Sequence, residues 1–238
     1  MIYKKQQIVG STQVGADANL STIGLFGMVE SAITEGMATL KIDGLTVKRE
    51  YNAFWVFTRN HIKIFGKGLW GEVLSIQSFI SNISLVKLDI DTVLKKSDGS
   101  ILAYSRCEMC PLDVATGRIR RMSSVGVNET IVAETPLADV TFEKFFDDNL
   151  PLVDTVTVRS TNVDFSQHCN NVEYLRFILN TYTVSEIVNK PIKEIEVNYV
   201  SQSYEGDTLS VHKTTSNNCD YFALKKSDQT VIKCVIVR

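Results

Sequence analysis

The sequence predicts an α+β protein built from two similar units, each an antiparallel sheet wrapped around one long helix. Three observations predict it: an internal repeat, one helical apolar face per copy, and alternating strands after each helix. The repeat comes first, because it decides how the 238 residues divide. Leu94-Lys95-Lys96-Ser97-Asp98 returns as Leu224-Lys225-Lys226-Ser227-Asp228, 130 residues later. Gly71-Glu72-Val73-Leu74-Ser75-Ile76 is matched 135 residues on by Gly206-Asp207-Thr208-Leu209-Ser210-Val211. Val9-Gly10-Ser11-Thr12-Gln13-Val14 is matched 149 residues on by Val158-Arg159-Ser160-Thr161-Asn162-Val163. The order is the same in both copies, and the offsets drift as insertions and deletions make them drift.

Within the first copy, Phe26, Val29, Ile33, Met37 and Leu40 are spaced three or four apart, which places them on one helix face. In the second, Val172, Leu175, Leu179 and Tyr182 repeat that spacing; Asn170 is positioned to cap the helix and Glu173 to complete a capping-box-like pattern. Val86, Leu88 and Ile90 alternate with Lys87, Asp89 and Asp91, predicting a half-buried antiparallel strand with those three polar residues on its wet face. Val231, Val235 and Val237 share one face of the last segment with Lys233, and residues 192–200 and 208–215 read as further strands. Between the copies the alternation breaks. Residues 1–122 are thus expected to form the first unit, 123–153 a tether across the outside of one unit, and 154–238 the second. Residues 141–148 (TFEKFFDD) read as a short amphipathic helix inside that tether.

Composition limits the function classes. Hydrophobic residues make up 44% and charged residues 22%, with 13 Gly and 4 Pro, which excludes disorder and collagen-like repeats. With 25 basic against 27 acidic residues the net charge is −2, so no general nucleic-acid footprint is present. No run approaches the roughly 18 apolar residues of a membrane span, and MIYKKQQIVG is not a secretory leader. Five cysteines without a framework spacing fit a reducing, cytoplasmic setting. Cys107 and Cys110 form a C-x-x-C, but no second pair exists to complete a zinc site, and their segment ILAYSRCEMC reads as a strand. No metal or other cofactor is expected.

The chemistry-bearing cluster is Asp164-Phe165-Ser166-Gln167-His168-Cys169-Asn170-Asn171, at a strand-to-helix turn of the second copy. A carboxylate and an imidazole four residues apart on such a turn can converge on one water and remove its proton. The helix-start N–H groups near Asn170 and Asn171 point to the same region and could stabilise an oxyanion. The same residues would equally serve as a turn cap and a backbone-bonded imidazole. Cys169 neighbours His168, but adjacent residues at a helix start point apart, so it reads as packing.

The run VRSTNVDFSQHCNNVEYLRFIL resembles the D-x-N-x-H-V-N-N-x-x-Y segment of the acyl-acyl-carrier-protein (acyl-ACP) thioesterases. LTVKREYNAFWVFTRNHIKIF, LWGEVLSIQSFI and PLDVATGRIRRM resemble first-half segments of that family, in the right order. The resemblance implies two tandem hot-dog units and hydrolysis of fatty acyl-ACP to free fatty acid and holo-ACP, in fatty acid biosynthesis. It places the family's catalytic Asp on Asp164, its Asn on Ser166 (a departure) and its His on His168. The family's Glu-Cys pair falls on Ser203 and Tyr204, or Glu205 takes the Glu position if the alignment slips. No cysteine lies there, which favours attack by water.

In this family the first copy resembles the part that holds the acyl chain. Phe26, Val29, Ile33 and Met37 supply an apolar helix face, and Trp55, Phe57 and Trp70 supply aromatic walls. Ordinary core packing would use the same residues. Arg118, Arg120 and Arg121, the one dense basic run, are candidates for docking an acidic carrier. The implied partner is acyl carrier protein, and a fused pair of units implies a monomer or a homodimer. Two other functions fit the same residues: an acyl-CoA thioesterase of the same fold, and a non-catalytic acyl-binding protein.

Overall fold

In the computed structural model the chain falls into two compact units, Met1–Thr141 and Phe142–Arg238. The structure describes residues 2–133, 137, 140–143 and 149–238. The first unit comprises β1 (Ile2–Ile8), α1 (Thr22–Thr39), α2 (Gly44–Tyr51), β2 (Ala53–Ile64), β3 (Val73–Ile83), β4 (Leu88–Lys95) and β5 (Ile101–Asp113). The second comprises β6 (Leu152–Thr157), α3 (Asn171–Leu179), α4 (Val184–Asn189), β7 (Glu194–Tyr199), β8 (Thr208–Ser216), β9 (Cys219–Lys226) and β10 (Gln229–Val237). The strands of the first unit lie in the order β1-β3-β4-β5-β2 and those of the second in the order β6-β8-β9-β10-β7. Element for element these are the same topology, with antiparallel pairing throughout. Each unit is a hot-dog: an antiparallel sheet with a helix against one face. No helix among the described residues is long and apolar enough to cross a membrane.

The repeat extends to single hydrogen bonds. Val9 donates to Glu72 and accepts from Gly71, each at 2.9 Å; Val158 does the same with Asp207 and Gly206, each at 2.9 Å. Gly71 (φ +83°) and Gly206 (φ +86°) occupy the left-handed region at matched turns, a conformation glycine adopts without steric cost. The helices differ. Phe26, Val29, Ile33 and Met37 are buried along one face of α1, which Ser21 caps through Gly24 N–H. By contrast α3 has nine residues against eighteen in α1, because Asn180 and Thr181 end it and Thr183 opens α4 with a capping box. Tyr182 is buried beyond the helix end rather than on the helix. Between the repeats at offsets 149 and 135, the shorter helix takes up nine of the fourteen residues lost. Asn170 caps α3 as expected, but Glu173 bonds to Asn162 and Arg176 instead of closing a capping box.

Two strand readings change in detail. Asp91, expected on a wet face of β4, is fully buried. Its carboxylate takes a two-pronged ion pair from Arg106, with Nε and Nη2 each at 2.7 Å, and a hydrogen bond from Leu137 N at 2.7 Å. Arg106 also donates to the Leu137 and Val140 carbonyls, and His61 Nδ1 donates to the Thr141 carbonyl at 2.6 Å. The described linker residues therefore cover the outer face of the first unit, and the ion pair is satisfied on every side. In β10 a bulge between Thr230 and Ile232 sets the register, so Ile232, Cys234 and Ile236 are the buried row, while Val235 and Val237 share the half-buried face with Lys233. Of the helix expected over 141–148, residues 144–148 lie outside the described residues, and 141–143 are not helical. Cys107 and Cys110 sit in β5 as buried free thiols, the latter pushed by burial to a pKa of about 11.

Candidate active site

The cluster of the second unit lies on a closed turn. Asp164 N donates to His168 O and Gln167 N to Asp164 O, both at 3.0 Å, and Gln167 takes φ +67° to complete the reversal. A non-glycine residue held there costs about 1–2 kcal/mol, so its surroundings must hold it. They do so from two sides: Cys169 N donates to Ser203 O at 2.8 Å and Asn170 N to Asn162 O at 2.8 Å. Asn162 Oδ1 accepts from Arg159 N at 2.8 Å, and its Nδ2 reaches Glu173 on α3 at 2.8 Å. Neither Gln167 nor Asn162 is marked as important by its own chemistry; the repeat with Gln13 was the one available signal for Asn162.

On this turn alternate residues converge. Asp164 Oδ1 accepts from Ser166 N at 2.8 Å and from Ser166 Oγ at 2.5 Å, and Ser166 Oγ lies 3.0 Å from His168 Nδ1. Counting protons fixes the direction of the chain. A carboxylate only accepts, so the single hydroxyl proton of Ser166 goes to Asp164. Ser166 Oγ is then an acceptor for His168, which must carry its proton on Nδ1 and its lone pair on Nε2. Burial lowers the pKa of His168 below the usual histidine value, and the Asp164 charge opposes but does not cancel this. The lowered pKa favours the neutral imidazole, the form a base requires. The Tyr204 ring packs 5.0 Å from His168 at 54°, and Tyr204 is about half exposed.

The other sequence candidates fall in different places. Ser203 is fully buried; its hydroxyl bonds Tyr174 Oη at 2.6 Å, and its N–H donates to the same oxygen at 2.9 Å. Tyr174, the tyrosine of the motif quoted above, is the residue that holds this loop between β7 and β8. Glu205 is exposed beside Gly206. The Asn170 side chain accepts from Val172 N at 2.8 Å, and neither that cap nor the Asn170 N–H bond engages the Asn171 N–H. Burial raises the Cys169 thiol to a pKa of about 12, so it is not a thiolate at neutral pH. In the first unit Phe26, Val29, Ile33 and Met37 are core, Trp55 is half-buried with Nε1 on Ile42 O at 2.8 Å, Phe57 is half-buried and Trp70 is exposed. Arg120 is committed to the Tyr51 and Ser124 carbonyls, whereas Arg118 and Arg121 are exposed. Among the described residues no group of three His, Cys, Asp or Glu side chains is arranged for a metal.

The first unit carries the same turn. Gly15 N donates to Asn19 O, Ala18 N to Gly15 O, and Leu20 N to Gly68 O, with Ala18 at φ +57°. Gly15, Asp17 and Asn19 thus stand where Asp164, Ser166 and His168 stand.

Residues 148–235 match the family model described as the acyl-ACP thioesterase C-terminal domain. Oleoyl-acyl carrier protein thioesterase 1 of Arabidopsis thaliana is 20% identical over 232 residues, covering 90% of this chain, which spans 64% of that protein's length. A solved acyl-ACP thioesterase from Bacteroides thetaiotaomicron superposes with a TM-score of 0.90 at 19% identity, over 99% of this chain and 97% of that one. The 12:0-ACP thioesterase of Umbellularia californica superposes with a TM-score of 0.87 at 16% identity, over 99% and 96%. Family model, curated relatives and solved structures agree with the resemblance read from the sequence: this chain is similar to the acyl-ACP thioesterases.

Proposed function

We propose that the chain hydrolyses fatty acyl-ACP to free fatty acid and holo-ACP. The observation that carries this reading is the Asp164–Ser166–His168 hydrogen-bond chain, in which His168 is the candidate base. In this reading His168 Nε2 takes a proton from water as the water oxygen attacks the thioester carbonyl carbon. Asp164 stabilises the imidazolium through Ser166, and the imidazolium returns its proton as the C–S bond breaks and the thiol leaves. The Asn171 N–H at the start of α3 is the candidate donor to the tetrahedral oxyanion. The second unit supplies catalysis and the first the acyl-chain site, with Phe26, Val29, Ile33, Met37, Trp55 and Phe57 near it. Exposed Arg118 and Arg121 would meet the acidic carrier. Five free thiols support action in the cytoplasm, and the fused pair of units supports a monomer or homodimer.

The test is thiol release from acyl-ACP and acyl-CoA of graded chain length, with Asp164→Ala and His168→Ala alongside. Release from acyl-ACP that both substitutions abolish is expected. Release unaffected by either would overturn the site, and tight acyl binding without release would make the chain a binding protein.

A further inference from the structure

The α1 face of the first sheet, expected to be oily, carries a buried polar row. Ser78 on β3 stands opposite Thr92 on β4, and Thr92 opposite Ser105 on β5. Ser105 Oγ donates to Asn60 Oδ1 of β2 at 3.2 Å, and Thr92 Oγ1 to Ser78 Oγ at 3.2 Å. All four residues are at most 3% exposed. The Asn60 Nδ2 group is buried without a partner, and turning the amide over only exchanges which atom is orphaned. The row ends beside a cavity of about 10 Å³ between α1 and the sheet, lined by Ser78 with Ile33, Gly36 and Met37.

The second unit shows that the fold does not require this row. Register places Lys213, Phe222, Cys234 and Ile195 at the positions of Ser78, Thr92, Ser105 and Asn60. Phe222, Cys234 and Ile195 are all fully buried and apolar enough to need no partner. An orphaned amide in the matching place costs stability that an isoleucine there does not.

We propose that this row is a specificity element, selecting an acyl chain that carries an oxygen substituent, hydroxyl or oxo, to accept the Asn60 hydrogen bond. The proposal rests on the reading that the first unit receives the acyl chain. A methylene laid against Asn60 leaves its donor unsatisfied, whereas an oxygen satisfies it, and such sites discriminate strongly against the analogue lacking the group. The Ser78, Thr92 and Ser105 hydroxyls rotate and so accept or donate as the substituent requires.

The test is kcat/KM of the full chain on matched acyl-ACP substrates, plain, hydroxy and oxo, with the substituent walked along the chain. Wild type should favour one oxygenated series by about tenfold, and Asn60→Leu should abolish the preference while Tm holds or rises. Equal use of plain and oxygenated chains by wild type, or a ratio unmoved by Asn60→Leu, overturns the proposal. Should Asn60→Leu not fold, Thr92→Val and Ser105→Ala read the same ratio. If no substrate releases thiol, the hydrolase reading falls separately. The thermal shift of wild type with free hydroxy, oxo and plain fatty acids then decides this inference: a larger shift with an oxygenated acid supports it, and equal shifts overturn it.

Discussion

The turn from Gly15 to Asn19 in the first unit and the turn from Asp164 to His168 in the second make the same backbone hydrogen bonds and use the same left-handed residue. Their side chains do different things. In the first, the carboxylate is Asp17 at the middle position, held by Asn19 Nδ2 at 2.8 Å and by Lys67 at 3.5 Å, and no imidazole is present. In the second, carboxylate, hydroxyl and imidazole stand in sequence. The difference separates scaffold from side chains: the closed turn is a structural device of the hot-dog unit, and a carboxylate–hydroxyl–imidazole chain is added to it by three residues.

That separation can be broken most sharply at His168. His168→Asn installs the residue that the sister turn already tolerates, so stability should hold while kcat falls about a thousandfold. Retained activity would mean that the imidazole is not the base. The reciprocal Asn19→His should add no activity, because Gly15 supplies no carboxylate. Next in size, Ser166→Ala should cost about a hundredfold by disconnecting Asp164 from the ring, and Ser166→Asn, which can also bridge, should recover most of it. The pH profile sharpens the same point. A lowered His168 pKa means that the neutral base persists to lower pH, so the acid limb of kcat/KM should have its midpoint below the ordinary histidine value of 6.5. A midpoint above it would mean that Asp164 outweighs burial.

Smaller effects test the periphery. Arg118→Glu with Arg121→Glu should raise KM for acyl-ACP about tenfold and leave kcat unchanged. Arg120→Ala should instead lower Tm, since that guanidinium holds carbonyls of its own unit. Cys169→Ala should leave kcat within about twofold, and thiol alkylation of the native protein should not inactivate it. Rapid inactivation of wild type but not of Cys169→Ala would return cysteine to the mechanism.

Much of the fold was legible because its signals are local. The three-four spacing of Phe26 to Met37 is enough to place α1, and the repeat is enough to place Gly71 and Gly206. What stayed hidden depends on residues far apart in sequence. Asp91 reads as a wet-face residue until residues 137 and 140 are seen covering it. The β10 face depends on one bulge, and the end of α3 depends on the cap of the helix that follows. At the site, Asp164 and His168 are legible as a pair. Ser166 is legible too, through the resemblance, but not its place as the bridge between them, which exists only once Gln167 takes a left-handed turn. The polar row from Ser78 to Asn60 is invisible for the same reason: its four members lie on four strands.

The cover over Asp91 and Arg106 has a consequence for biosynthesis. The ion pair draws a donor from Leu137 and acceptors from Leu137 and Val140, all downstream of the last strand of the first sheet. A nascent chain that has released only the strands holds the Asp91–Arg106 pair without its Leu137 and Val140 partners, which are still in the ribosome. The first unit thus reaches its finished state when residue 140 has emerged from the ribosome, just ahead of the second unit, and the connecting segment times the handover from one to the other.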